Sequence, residues 1–83
     1  MKRDTLGEII SYVARNFNGN KPVAPDDSLT GEGIISSLSL IELICWLEET
    51  YRLSIPPEDF LPENFDSINA IGKYVFLKGT VNG

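Results

Sequence analysis

The stretch Gly33–Glu49 constrains the fold more than any other part of the chain, because its apolar residues recur at helical spacing. After a turn and a pair of serines, it predicts a helix from about Ser37 to Tyr51. One apolar stripe suffices to dock a helix, and here there are two, so the second is either buried by a further helix or offered to a partner. The deeper stripe is Leu40, Ile44, Leu47 and Tyr51, and the second is Leu38, Ile41 and Cys45.

Two more main helices are predicted from the same periodicity. The first runs from Thr5 to Phe17 on one continuous apolar stripe, and the turn at residues 18–20 stops it. The last runs to about Leu77, where Gly79 ends it, and leaves a loose tail at residues 80–83. The candidate caps are Asp4 or Thr5 for the first helix and Asp66 or Ser67 for the last.

The connections complete an all-α prediction. Residues 21–32 have no helical or strand period, and so long a loop needs anchors, for which Val23 and Leu29 are candidates. After an Ile-Pro connector, single turns are predicted near Phe60 and at residues 62–65. We therefore expect a small helical bundle of three main helices plus one or two short turns. It should be one monomeric domain over residues 1–83, with an ordered core of about 4–78.

Composition excludes several classes of function. The 83 residues include seven basic and twelve acidic side chains, a net charge of -5, which argues against binding nucleic acid or anionic membranes and favours basic partners. Cys45 is the single cysteine and there is no histidine, so neither a disulfide, a zinc site nor the usual base of a serine nucleophile is expected. We expect no signal peptide and no membrane span, and hence a cytoplasmic protein.

The serines before the central helix have two possible roles. Ser39 and Glu42 fit a capping box, and Ser36 or Ser37 would serve equally well as the cap. A serine at the start of a helix is usually structural. A hydroxyl there is also exposed, however, and the unpaired backbone N–H groups around it favour a phosphate. The residues alone leave open whether the serine is a cap or an attachment point.

The sequence Gly33-Ile34-Ile35-Ser36-Ser37-Leu38 resembles the attachment motif of acyl carrier proteins and related phosphopantetheine carriers, in which Gly, two apolar residues, Asp, Ser and Leu open the second helix. Glu42 matches the glutamate that follows five residues after the serine. The long loop, the Ile-Pro connector and the final helix also agree with that family, over about residues 6–77. One position departs, since Ser36 stands where the family has an aspartate that assists the modifying transferase and its metal.

The resemblance implies a non-enzymatic carrier of acyl or amino-acyl thioesters, with 4'-phosphopantetheine from coenzyme A attached to Ser37. It implies as partners a phosphopantetheinyl transferase, an acyl- or aminoacyl-activating ligase or synthase, and downstream acyl-transfer enzymes. The pathway would be fatty acid, polyketide or related specialised biosynthesis. The implied partner-docking residues are Ser36, Leu38, Ile41, Glu42, Cys45, Glu48 and Glu49.

Several alternatives stay open. Asp27-Ser28-Leu29 spells the family triplet, but it lies in a loop, so we interpret Ser28 as a turn residue. Trp46, on the polar side of the helix, is either an exposed interface anchor or is covered by the long loop. An unmodified module that binds a partner through the second helix is the alternative function. A cargo pocket, if one exists, would be lined by core residues, namely Leu40, Ile44, Ile55, Phe60, Ile68 and Ile71.

Overall fold

The computed structural model describes residues 4–82, and these form four α-helices with no strand among them. A single 3-10 turn at Pro57–Asp59 precedes the third helix. The predicted all-α bundle is confirmed. The predicted domain also covers residues 1–3 and 83, which lie outside the described part of the chain. The helices are α1 (Thr5–Phe17), α2 (Ser37–Tyr51), α3 (Pro62–Phe65) and α4 (Ile68–Asn82).

The core lies where α1 and α2 pack against α4, and the short helix α3 also packs against α4. The backbones of α1 and α4 approach closely at Gly72, where an added Cβ would collide with the side chain of Leu6. Burying each large apolar side chain stabilises the fold by roughly 1.5–3 kcal/mol. The fully buried side chains are Ile9, Val13, Leu29, Leu43, Ile44, Leu47, Phe65, Ile68 and Ile71.

The ends of the first two helices follow local sequence signals. Asp4 caps α1, because its Oδ1 accepts a hydrogen bond from the Gly7 N–H at 3.0 Å. Gly19 takes a positive φ of 58° just after α1, as the predicted stop requires. At the end of α2, Arg52 adopts the left-handed conformation with φ 56°, although it is not glycine. The bounds predicted for α1 and α2 are confirmed.

The core face of α2 differs from the predicted stripe. Leu43, which neither predicted stripe included, is completely buried, whereas Leu40 and Tyr51 are only half-buried. The buried set is Leu43, Ile44 and Leu47, so the helix is rotated toward Leu43 relative to the prediction. Periodicity fixes the width of an apolar face, but the neighbouring helices decide which edge of that face is covered.

The last helix is longer than predicted. It continues through Gly79 to Asn82, so the end at Leu77 and the loose tail at residues 80–82 are corrected. A glycine inside a helix costs only about 1 kcal/mol relative to alanine, which lowers helix stability without forcing a stop. Ser67 is the cap, since its Oγ accepts the Ala70 N–H at 3.1 Å. Within residues 4–82, no helix has the length and apolar character needed to cross a membrane.

The long connection between α1 and α2 is held by the two predicted anchors. Leu29 is completely buried and Val23 is 6% exposed, so both anchoring predictions are confirmed. Leu29 also organises the approach to α2, because its carbonyl accepts hydrogen bonds from the N–H groups of Ile34 at 2.8 Å and Ile35 at 3.2 Å. The buried side chain of Ile35 then fixes the chain immediately before the two serines.

Candidate functional site

The N-terminus of α2 is built around two consecutive serines with different roles. Ser36 is the N-cap: its Oγ accepts the Ser39 N–H at 3.2 Å and donates to the Ser39 Oγ, also at 3.2 Å. The capping box predicted from Ser39 and Glu42 is therefore not formed, because Ser36 already satisfies the amide that such a box would use. Ser37 becomes the first helical residue, one position inside the cap.

Ser37 is exposed, and among residues 4–82 no hydrogen bond engages its hydroxyl. The cap satisfies the N–H of Ser39 but leaves the N–H groups of Ser37 and Leu38 directed out of the helix end. The first turn of α2 contains no acidic residue, so the positive end of the helix dipole is not neutralised there. A free hydroxyl beside unpaired amides fits an attached phosphate group, which would accept those amides and lie at the favourable end of the dipole.

A continuous exposed face extends from this point along α2. The side chains of Leu38 and Ile41 are 76% and 49% exposed, and Cys45 is also on the surface. Glu42 and Glu49 are exposed on the same face, about two turns apart. The second apolar stripe of the helix is thus not covered by another helix of the bundle. Five of the residues predicted to dock a partner therefore share one exposed face of α2, which begins next to Ser37.

Glu48, the other acidic residue predicted for docking, lies toward the interior. It is half-buried, and its Oε2 accepts a hydrogen bond from the Ile55 N–H at 2.8 Å. This contact fixes the connector after α2, where the prolines of the Ile-Pro-Pro segment cannot donate backbone hydrogen bonds. The structural role of Glu48 was not predicted from the sequence, and no local pattern signals it. Its docking role stays a prediction.

Trp46 is half-buried between α1 and α2 rather than freely exposed. Its ring stacks on Tyr12 with centroids 4.1 Å apart and meets the edge of Tyr51 at 5.8 Å. Tyr51 in turn donates its hydroxyl to the Glu8 Oε1 at 2.7 Å. Burial and, next, the charge of Glu42 raise the pKa of Tyr12 above its ordinary value. Tyr12 of α1 covers one face of the Trp46 ring, and the aromatic cluster joins the two helices.

The residues predicted to line a cargo pocket are part of the packed core. Ile44, Ile55, Ile68 and Ile71 are between 0% and 5% exposed, while Leu40 and Phe60 are half-buried. Phe65, which the pocket prediction did not include, is completely buried and lies 5.0 Å from the ring of Tyr74. A side chain with no accessible surface has no space of the size of a water molecule beside it, so Phe65, Ile68 and Ile71 are in contact with protein atoms on all sides.

Comparison with known proteins identifies the family. A family model described as the phosphopantetheine attachment site matches residues 4–75. A D-alanyl carrier protein from Streptococcus uberis is 30% identical over 64 residues, which covers 77% of this chain and 81% of that protein. No solved structure matches the chain. The chain therefore belongs to the family of phosphopantetheine-binding carrier proteins.

Membership of this family defines the general activity. The protein is a non-catalytic carrier with a covalently attached 4'-phosphopantetheine, as predicted from the resemblance. The attached arm supplies a thiol that holds an acyl group as a thioester. Phosphopantetheinyl transferases and ligases or synthases are the enzymes that carriers of this kind serve.

Proposed function

We propose that Ser37 carries the phosphopantetheine arm and that the cargo is a small amino-acyl group. The protein would receive the cargo from an activating ligase or synthase and present it to a downstream acyl-transfer enzyme in the cytoplasm. The observation that supports attachment at Ser37 is its hydroxyl, which is exposed and makes no hydrogen bond, next to the unpaired amides at the start of α2. The neighbouring hydroxyls of Ser36 and Ser39 are both used in the cap.

The exposed face of α2 supports a docking role beside the attachment site. A partner surface with an apolar centre and a basic rim would bury Leu38, Ile41 and Cys45 and pair with Glu42 and Glu49. The net charge of -5 would also steer basic partners toward the carrier before contact. Because this face begins one residue after Ser37, an enzyme that docks here has the arm at its edge.

Two observations favour amino-acyl cargo over the long acyl chains of fatty acid or polyketide synthesis. The matched relative is a carrier of D-alanyl groups. In addition, Phe65, Ile68 and Ile71 have no exposed surface, so a long apolar chain could enter the bundle only by displacing them. A small polar cargo gains nothing from an apolar interior and can stay outside, on the arm. We infer that D-alanyl or a similar small amino-acyl group is the cargo.

Intact mass spectrometry tests the attachment site. After incubation with coenzyme A and a broad-specificity phosphopantetheinyl transferase, the wild type should gain the mass of one phosphopantetheine. Ser37→Ala should gain none, whereas Ser11→Ala, which removes an exposed hydroxyl on α1, should be modified like the wild type. If several transferases leave the wild type unmodified, or if Ser37→Ala still gains the mass, the assignment is wrong.

The cargo is tested on the modified protein. Holo-protein is incubated with ATP and an amino-acid-activating ligase, with D-alanine or L-alanine, and in parallel with an acyl-activating ligase and a medium-chain fatty acid. Amino-acyl loading should give a thioester that hydroxylamine cleaves. The fatty acyl form, if it is made, should leave the unfolding midpoint unchanged. A fatty acyl thioester that forms readily and raises the midpoint would overturn the proposal of small cargo.

A further inference from the structure

Asp66 ties the long loop to the start of α4. Its Oδ2 accepts the Ser28 hydroxyl at 2.5 Å, and its Oδ1 accepts both the Thr30 N–H at 2.9 Å and the Thr30 hydroxyl at 2.7 Å. The backbone carbonyl of Asp66 accepts the Leu29 N–H at 2.7 Å. One residue thus binds three consecutive loop residues that lie at least 36 positions away in the sequence. We call these contacts the Asp66 clamp.

The Asp66 clamp is continuous with the attachment segment. Leu29, which it holds in the middle, presents its carbonyl to the N–H groups of Ile34 and Ile35. Ile35 directly precedes the cap residue Ser36. The carboxylate of Asp66 is therefore linked to this helix end through Ser28 and Thr30, which flank Leu29 in the chain. Between Leu29 and Ile34 the chain turns tightly, and Gly33 takes a positive φ of 74° there.

We propose that Asp66 is a positioning residue for the attachment of phosphopantetheine, holding residues 28–35 so that Ser37 is presented in one orientation to the transferase. The inference rests on the proposed attachment at Ser37. It concerns a residue at the start of α4 that would act on Ser37 through the loop rather than by contact with it.

The physical need for such a clamp follows from the loop. Residues 21–32 form isolated turns but no helix or strand, so their own backbone hydrogen bonds hold the loop in place less firmly than those of a helix would. Hydrogen bonds to an ionised carboxylate are stronger than neutral ones, and here three converge on one group. Although burial raises the pKa of Asp66, the hydrogen bonds from Ser28 and Thr30 outweigh it and hold that pKa below its ordinary value. The carboxylate is therefore charged at neutral pH.

A second pair of contacts supports the same segment without reaching Ser37. Asn69 donates its N–H to the Pro25 carbonyl at 3.1 Å and its side-chain amide to the Asp26 Oδ1 at 2.6 Å. These bonds hold the early part of the loop against α4. Of these two sets of contacts, the Asp66 clamp is the one that includes Leu29, whose carbonyl binds the segment before the serines, so its loss should be felt at Ser37 more strongly than loss of the Asn69 contacts.

The test compares variants of the full chain in two measurements. Transferase kinetics separate KM from kcat, and amide hydrogen exchange reports on the N–H groups of Ile34 and Ile35. Asp66→Ala removes the side-chain part of the Asp66 clamp. Asp66→Asn can keep it, because the amide oxygen still accepts from Thr30 and the amide nitrogen donates to the Ser28 oxygen. Ser67→Ala is the matched stability control, since it removes the cap of α4 at the adjacent position without touching the loop.

In Asp66→Ala we expect the KM for the carrier to rise about tenfold with kcat nearly unchanged, because only a fraction of molecules would present Ser37 correctly. The amides of Ile34 and Ile35 should exchange at least about tenfold faster. Asp66→Asn should return both values to within about threefold of the wild type. If Asp66→Ala does not fold, Thr30→Val, which removes one hydroxyl from the Asp66 clamp, should show a smaller change of the same kind.

Other outcomes overturn the inference. It is wrong if Asp66→Ala keeps the wild-type KM, or if Ser67→Ala changes KM and the exchange of Ile34 and Ile35 equally, since the effect would then follow general stability. A rise in KM without faster exchange at these amides would also contradict it. If the wild type is never modified, the proposed attachment fails and this inference fails with it. A wild type that is modified normally beside an unaffected Asp66→Ala rejects the inference alone.

Discussion

Replacing Ser36 with aspartate tests how the neutral start of α2 affects stability. Ser36 caps the helix, and the first turn contains no acidic residue. Serine and aspartate are about equally good N-caps, so Ser36→Asp keeps the cap and adds one negative charge at the positive end of the helix dipole. That charge should raise the free energy of unfolding of the apo-protein by about 0.3–1 kcal/mol, or its unfolding midpoint by about 1–8 °C.

The same substitution should have a smaller effect after modification. The phosphodiester that we propose at Ser37 would already place a negative charge at this helix end, and a second negative charge one residue away would be repelled by it. The stabilisation by Ser36→Asp is therefore expected to shrink or disappear in the phosphopantetheine-bearing form. Comparing apo and holo forms of both sequences gives the coupling between the two charges directly.

Urea and thermal unfolding can be followed by the fluorescence of Trp46, whose stacking on Tyr12 at 4.1 Å reports on the packing of α1 against α2. Ser36→Asn is the matched control, because asparagine caps as well as aspartate without the charge, and Ser36→Ala should lose about 0.5–2 kcal/mol with the cap. The dipole explanation is refuted if Ser36→Asn stabilises as much as Ser36→Asp. It also fails if the gain persists at about 1 M salt, where the Debye length is only about 3 Å.

Three further predictions concern the bundle. Because the pKa of Asp66 is lowered by folding, its stabilisation is complete above the ordinary carboxyl pKa of about 3.9 and is lost as the pH falls through the lowered value. The urea midpoint should therefore drop more below about pH 4 in the wild type than in Asp66→Asn, and equal slopes would contradict this. Tyr74→Phe removes a 2.6 Å hydrogen bond to the carboxylate of Asp59 and should cost about 1.5–3 kcal/mol in urea unfolding, so a cost near zero would show that water satisfies the carboxylate equally well. Leu43→Ala should cost about 2–5 kcal/mol and Leu38→Ala, on the exposed side of the same helix, less than about 0.5 kcal/mol, and similar losses would contradict the observed core face.

Local patterns were sufficient for the helices whose signals lie within a few residues. The apolar period and the cap of α1 gave its bounds, and those of α2 followed in the same way. The predicted deep stripe of α2 omits Leu43. An apolar face wide enough to include two stripes does not by itself determine which residues are buried, because that depends on the neighbouring helices. Gly79 predicted a stop that α4 does not make, since a glycine only weakens a helix.

The sequence also indicated which residues of the candidate site share a helix face, but not the contacts that these residues make with other elements. The face formed by Leu38, Ile41 and Glu42 depends on helical spacing alone, which the sequence contains. The inward contact of Glu48 with the Ile55 N–H depends on how the chain turns after the helix, and the cover that α1 gives Trp46 depends on two helices meeting. Such contacts between separate elements have no periodic signature, and a single sequence does not display them.

Ser28 and Ser37 show that a match to the family triplet does not by itself make a serine available for attachment. Ser28 stands in the family triplet, yet its hydroxyl donates to Asp66 at 2.5 Å and accepts the Gly31 N–H at 3.0 Å. Ser37 lacks the aspartate before it, but its hydroxyl lies free at a helix end, next to amides that suit a phosphate. A hydroxyl already bound on both sides must break those bonds before it can react, whereas a free one needs only a partner. Ser37, whose hydrogen-bonding capacity the fold leaves unused, is therefore the serine that we propose for attachment, and the contacts of Ser28 belong to the Asp66 clamp that we propose to hold it in place.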